Sequence, residues 1–469
     1  MGCGTYLYYS NDPFMKRYGI TIALFFLASG LFAQKEGWTS LFDGKTLTGW
    51  KRLAGTAEYT VENGAIVGLG VAGSGNSFLA TEKEFENFIL EMDVKIDDTT
   101  SNSGIQLRSH YDPNGHEGKG LVFGYQYEID PSSRRWTGGI YDEGRRGWLY
   151  PVSLNHSVQN AFKVGQWNHI RVECIGSSIR TWVDGLATAF VVDTVDNKGF
   201  IGLQVHAISS PDQAGKKVYF KNIRVRTTDF HPGFFPPGVY VLNNIPNTLT
   251  DYEKKSGWRL LFDGSSAKGW VGAYRKTFPD RGWKIENGNL TVLAGKGEMS
   301  TNGGDIVTTG MYKAFDLSFE FKITPGANSG VKYFVTLKEQ NTGNAGIGLE
   351  YQVLDDSLHP DAKLGRNGDR TQASLYDLIP ANKQRRFLRP VGAWNTGRII
   401  VYPDNHVEHY LNGVKVLEYE RGSADFRALV AISKYKIWTN FGEAPEGHLL
   451  LQDHGNEVSY RSIKIRELK

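Results

Sequence analysis

The sequence predicts an all-β protein built from two β-sandwich domains in tandem, and three observations carry that expectation. The phrase Gly37-Trp-Thr-Ser-Leu-Phe-Asp-Gly44, closed by Gly49-Trp50, returns 220 residues later as Gly257-Trp-Arg-Leu-Leu-Phe-Asp-Gly264, closed by Gly269-Trp270. That spacing is far longer than a solenoid repeat, so each copy is a whole domain. Phe88, Leu90, Met92, Val94 and Ile96 alternate with polar residues, and Leu317, Phe319, Phe321 and Ile323 do the same in the second copy, which is the period of a strand with one buried face. Asn63-Gly64, Asn287-Gly288 and Asn412-Gly413 tolerate the positive φ of two-residue hairpins, and no amphipathic helix longer than a few turns interrupts the strands.

Taken in order, the chain opens with Lys16-Arg17, the apolar run Ile20 to Phe32 and then Ala33-Gln34, the pattern of a secretory signal peptide too short to remain as a membrane span. Met15 precedes the two charges, so the first residues read as a mis-assigned start. Residues 1–33 are therefore expected to be removed, leaving an exported periplasmic or secreted chain with Cys174 as its one cysteine and no intrachain disulfide. The first sandwich is expected over 34–227, a proline-rich linker over 228–256 and the second sandwich over 257–469. Near the end of each copy the apolar phase slips by one residue, which predicts a bulge at Asn222 and at Ser462. The linker holds Pro232, Pro236, Pro237 and Pro246, with Phe230, Phe234, Phe235 and Tyr240 to pack along the surface.

The balance of 53 basic and 50 acidic residues leaves a formal charge of +3, with no field or basic run suited to nucleic acid. A nucleophile elbow, a phosphate loop, a dinucleotide fingerprint and a Cys/His zinc spacing are all missing from the sequence.

What remains is a set of polar residues repeated at matching slots. Glu350 and Gln352 share one strand face, and the first copy holds Gln126 and Glu128 there, with acid and amide exchanged. A half-exposed, solvated strand face is the plainer reading of a single Glu, and the repetition is what favours a site. Gln452 with His454, matched by Gln204 with His206, places an imidazole where acid or base chemistry could use it; a His bonded to a loop is the plainer reading. Lys332 stands where the first copy has Gln106, followed on that face by Arg108, and such a cation either polarises a carbonyl or is a surface charge. The loop Asp355-Asp-Ser-Leu-His-Pro-Asp361 leads on to Arg370 and Tyr376. Its carboxylates and His359 are a candidate for a divalent cation, although the spacing fits no strict template and an ordered loop is the plainer reading. Of Trp50, Trp136, Trp148, Trp270 and Trp394, most are expected in the core, the others serving as sugar platforms.

These phrases together carry a family likeness. Leu-Phe-Asp-Gly44 with Gly-Trp50, Gly124-Tyr-Gln-Tyr-Glu-Ile-Asp130, Gly139-Ile-Tyr-Asp-Glu-Gly-Arg-Arg-Gly-Trp148 and Leu203-Gln-Val-His206 resemble the 3-keto-disaccharide hydrolase domain family, and the second copy matches further through His359-Pro-Asp-Ala362, Leu375-Tyr-Asp-Leu-Ile-Pro380 and Leu451-Gln-Asp-His-Gly455. The resemblance implies a concanavalin-like jelly roll in each copy, export from a bacterial cytoplasm, and action on glycosides oxidised at C3. A ketone at C3 acidifies the C2 proton, so a base can remove it, the C1 aglycone leaves by elimination, and water adds back. Such a site needs a base, a cation at the enolate oxygen and an acid at the leaving oxygen. The expected assignment is Glu350 as base, Lys332 as enolate stabiliser and His454 as acid, with Gln352, Gln452, Tyr376 and Arg370 holding the sugar. In the first copy, Gln126, Glu128, Arg108, Tyr141 and His206 are the expected substrate contacts. No cofactor is expected beyond the candidate divalent cation, and the expected partner is a carbohydrate substrate, with no nucleic acid and no membrane span. Two other readings stay open: ordinary hydrolysis by a carboxylate pair, and a sugar-binding module without turnover.

Overall fold

The computed structural model describes residues 37–211, 214–295, 303–337 and 346–469, and the expected signal segment lies outside them. No helix among the described residues is long and apolar enough to cross a membrane. Each copy is a jelly-roll sandwich: among the described residues a nine-stranded sheet faces a seven-stranded one in the first, and an eight-stranded sheet faces a five-stranded one in the second. The predicted alternation aims Phe88, Leu90, Met92, Val94 and Ile96 at Ile105, Leu107, Tyr125 and Tyr127 of the opposite sheet. In the second copy Leu317, Phe319, Phe321 and Ile323 meet Val331, Tyr333, Leu349 and Tyr351 in the same way. Burial of these side chains, at roughly 25 cal/mol per Å² of apolar surface, is the main term holding each sandwich together.

The repeated opening phrase is a structural device. Asp43 Oδ1 accepts the backbone N–H groups of Lys45 and Thr46 at 2.8 and 2.7 Å, and Asp263 Oδ1 accepts those of Ser265 and Ser266, both at 2.7 Å. The indole N–H of Trp50 donates to Leu41 O, and that of Trp270 to Leu261 O, at 2.7 Å each. Each phrase thus closes a turn and pins a buried tryptophan over it.

The expected bulges are present. Asn222 and Ser462 take φ of 54° and 51°, and the register of each last strand shifts around them. A second matched pair was not legible: Arg108 and Phe334, at φ 50° and 52°, bulge the strands Ser103–Asp112 and Asn328–Thr336. This corrects the placement of Arg108 beside Gln106. The bulge turns its side chain away, and the buried guanidinium donates to the carbonyls of Glu86 and Gly176 at 2.6 and 2.8 Å, as a structural clamp rather than a sugar contact.

The linker is ordered by its own packing. Leu242–Asn243 adds a parallel strand to the first sandwich beside Val191 and Val192. Phe235 and Tyr240 are buried. Thr250 and Glu253 form a capping box on the short helix Asp251–Lys255. Buried Glu253 receives Lys464 Nζ of the second sandwich at 2.5 Å, Tyr240 OH meets Ser318 Oγ at 3.0 Å, and the Arg398 guanidinium lies 4.2 Å from the Tyr240 ring centroid. Residues 37–469 consequently form one compact unit.

Candidate functional site

In the second copy one face of the five-stranded sheet feeds the core, and the other carries the polar set. Cross-strand pairing of Asn328–Thr336 with Ile347–Leu354 sets Lys332 opposite Glu350 and Gly330 opposite Gln352. A Cβ on Gly330 would lie 2.3 Å from Glu350 Oε1, so glycine is required there to admit the carboxylate. Ser329 Oγ donates to Gln452 O at 2.7 Å and holds the neighbouring strand end in place. The repeated Asn-Ser-Gly phrase is therefore a frame for this face.

Glu350 and Lys332 are 4% and 7% exposed, with Nζ 4.0 Å from Oε2. Glu350 is thus not on the half-exposed, solvated face that strand alternation alone suggested. The 355–378 loop covers the strand, with Tyr376 N donating to Glu350 O at 3.0 Å. Asp305 Oδ2 and His454 Nδ1, which feel the Lys332 charge, and Gln452 Oε1 and Asn328 Oδ1 farther along the same sheet are all buried and lack a hydrogen-bond partner among the described residues. Buried polar atoms are normally met by a protein group, an ordered water or a bound molecule, so these four are free to take one of the latter two. Burial pushes the Asp305 carboxyl up to about 6, against the pull of Lys332. Burial and then the facing His359 ring, 5.8 Å away centroid to centroid, lower the His454 pKa. Gln352 spends its Oε1 on the N–H of Val353 at 3.1 Å, leaving its amide nitrogen as the group to offer.

Tyr376 and Arg370 are organised by the covering loop. Tyr376 OH donates to Asp361 Oδ2 at 2.7 Å, while Arg370 donates to Asp361 Oδ1 and Asp377 Oδ1 at 2.8 Å each. The Arg370 guanidinium is held by two carboxylates and acts first as the loop's fastener. The three carboxylates offered as candidate cation ligands face separate partners, as in an ordered loop: Asp355 accepts from Gly326 and Ser357, Asp356 pairs with Lys383, and Asp361 takes Arg370 and Tyr376. Among the described residues the convergent group is His406, Glu408 and Glu418, and Lys415 Nζ sits against its two carboxylates at 2.9 and 2.6 Å. Sequence reasoning missed Lys434, whose ammonium lies 4.0 Å from the Tyr376 ring centroid with its pKa lowered by desolvation. It belongs to Lys434–Ile437 after the helix Ala424–Ala431, an excursion that has no counterpart in the first copy and was visible as extra length.

The first copy repeats the frame with different chemistry. Gln106 donates to Gln126 Oε1, Gln126 Nε2 to Glu128 Oε2 at 2.8 Å, and Asn102 Nδ2 to Glu128 Oε1 at 2.8 Å. Among the described residues no cation pairs with this carboxyl. Burial pushes it up to about 7. Tyr141 pairs with Gln126 across the strands, and with Trp148, His206, Gln204 and Glu128 it lines a cavity of about 300 Å³. His206 is exposed and its Nδ1 meets Ala207 O at 3.1 Å. The second copy reaches in as well: Arg386 lines this cavity, and Phe387 packs on Trp136 at 5.5 Å between centroids.

Comparison with known proteins agrees with this doubled architecture. Residues 37–226 and 257–466 each match the 3-keto-alpha-glucoside-1,2-lyase-like domain. A 3-keto-disaccharide hydrolase of Bacteroides thetaiotaomicron is 37% identical over 233 residues, 45% of this chain and 79% of that protein. A solved putative glycosyl hydrolase of Parabacteroides distasonis is 30% identical, covering 48% of this chain and all of the other, with a TM-score of 0.42. With its two matches spanning nearly all of the chain beyond the first residues except the linker, the protein belongs to the 3-keto-alpha-glucoside-1,2-lyase-like domain family, which it carries as two tandem copies.

Proposed function

We propose that the protein is an exported carbohydrate-active enzyme whose second copy cleaves 3-keto-glycosides by C2 proton abstraction, elimination and rehydration. The observation that carries this is the buried Lys332–Glu350 pair set among unpartnered polar atoms. The Glu350 carboxylate takes the C2 proton as the pair of C–H electrons moves into the enolate. The Lys332 ammonium stabilises the charge that gathers on the C3 oxygen, where a cation in a dry site is worth most. The enolate then expels the C1 oxygen with its electron pair, and His454 hands that oxygen a proton. Gln352, Gln452 and Tyr376 surround the sugar, and Arg370 holds the loop that carries Tyr376. The named activity of the Bacteroides relative supports the substrate class.

Two measurements test the reading. Glu350→Gln should lower turnover of a 3-keto-glucoside by roughly a hundred- to ten-thousandfold, the loss expected of a general base. Deuterium at C2 should slow the wild-type reaction if that bond breaks in the rate-limiting step. Binding of the 3-keto-glucoside without consumption would instead favour the sugar-binding module.

A further inference from the structure

We propose that the first copy is a second active centre, which hydrolyses an unoxidised glycoside lying across the junction of two adjoining cavities, with Glu143 as acid and Glu128 as base. The 300 Å³ cavity of Glu128 is bordered by a larger one of about 740 Å³, and the two share Asn76 and Glu143 in their walls. Both lie in or near the size range of small-molecule sites, so together they offer a place on either side of one bond. Gln204 in the first cavity is 0% exposed, and neither its Oε1 nor its Nε2 has a partner among the described residues. An amide in that state is suited to one hydroxyl that donates and one that accepts, which is what a sugar supplies. Tyr141 and Trp148, 5.4 Å apart between ring centroids, give the same cavity an apolar wall.

The two carboxyls are held by amides rather than by cations. Asn76 Nδ2 donates to Glu143 Oε1 at 3.0 Å, and Asn102 and Gln126 donate to Glu128. Burial pushes the Glu128 carboxyl up to about 7 and raises that of Glu143 as well, the direction that favours a carboxyl able to hold a proton for transfer. This differs from the second copy, where Lys332 faces the carboxylate, and it needs no ketone on the sugar. Glu143, at the junction, gives its proton to the bridging oxygen, and the C1–O bond breaks with its electrons going to that oxygen. A water oxygen bonds to C1, and the proton it loses goes to the Glu128 carboxylate. One water is consumed and two hydroxyls are formed. Arg386, delivered by the second copy, completes the wall, so the substrate is enclosed by both copies.

The test uses the full chain with unoxidised 4-nitrophenyl glucosides, galactosides, mannosides and xylosides of both anomers, together with glucose disaccharides. Turnover of at least one is expected, without a primary isotope effect from deuterium at C2. Glu128→Gln and Glu143→Gln should each lower it by roughly a hundred- to ten-thousandfold. If either glutamine variant fails to fold, Glu143→Asp keeps the acid but withdraws it, and a fall in kcat of about tenfold or more with KM held is expected. No turnover of any member, turnover that survives both glutamine changes, an unaltered kcat in Glu143→Asp, or a primary C2 isotope effect would each overturn the proposal. Loss of 3-keto-glycoside turnover in the Glu350→Gln variant reads the second copy separately.

Discussion

At the scale of single residues, the two copies differ in what stands beside a buried carboxyl. Glu350 faces the Lys332 ammonium, whereas Glu128 is held by the amides of Asn102 and Gln126. Removing one member of a buried pair leaves the other charge without its partner, so Glu350→Gln is expected to lower the melting temperature as well as the rate, a change that calorimetry reads. For Glu128 the sign is opposite. An unfolded glutamate ionises near 4.5, while the native Glu128 keeps its proton up to about 7, so the stability that this site contributes is lost as pH rises through that window. Glu128→Gln removes this dependence; its melting temperature relative to wild type should be higher at pH 8 than at pH 5. A third consequence concerns His454, whose lowered pKa means that the protonated acid is depleted at a lower pH than for a free histidine at 6.5. The pH–rate profile for 3-keto-glycosides should therefore fall on its basic side below that value, and His454→Gln should abolish that limb.

At the scale of elements, bulges decide which side chains reach the site. The slip of apolar phase near Asn222 and Ser462 was legible because it reverses which residues are buried. The bulges at Arg108 and Phe334 were not, because the residues around them are buried on both faces and alternation carries no signal there. The same limit explains Glu350: alternation gives the side of a strand, and only the return of the 355–378 loop determines that this side is closed from solvent. Repetition exposed Glu128 and Gln352 as matching slots, yet Glu143 and Asn76, which lie away from the compared Glu/Gln pair, were missed. A bulge with positive φ tolerates asparagine but not a β-branched residue, so Asn222→Val should cost about 1–3 kcal/mol in chemical denaturation, and Asn222→Gly much less.

At the scale of the molecule, the linker couples copies that each have their own sheets. Leu242 and Trp258 lie in the core of the first sandwich, and Lys464 of the second is neutralised by Glu253. Expressed alone, 37–227 and 257–469 should each show a cooperative transition, with the first melting below its transition in the full chain because it lacks those two side chains. Division of chemistry between the copies rests most on Glu350. The decisive measurement is the steady-state rate on one glycoside oxidised at C3, protiated or deuterated at C2, with the wild-type chain and Glu350→Gln. The account predicts a slower rate for the deuterated sugar and a loss of roughly a hundredfold or more in the folded variant; near-normal turnover by folded Glu350→Gln would contradict it.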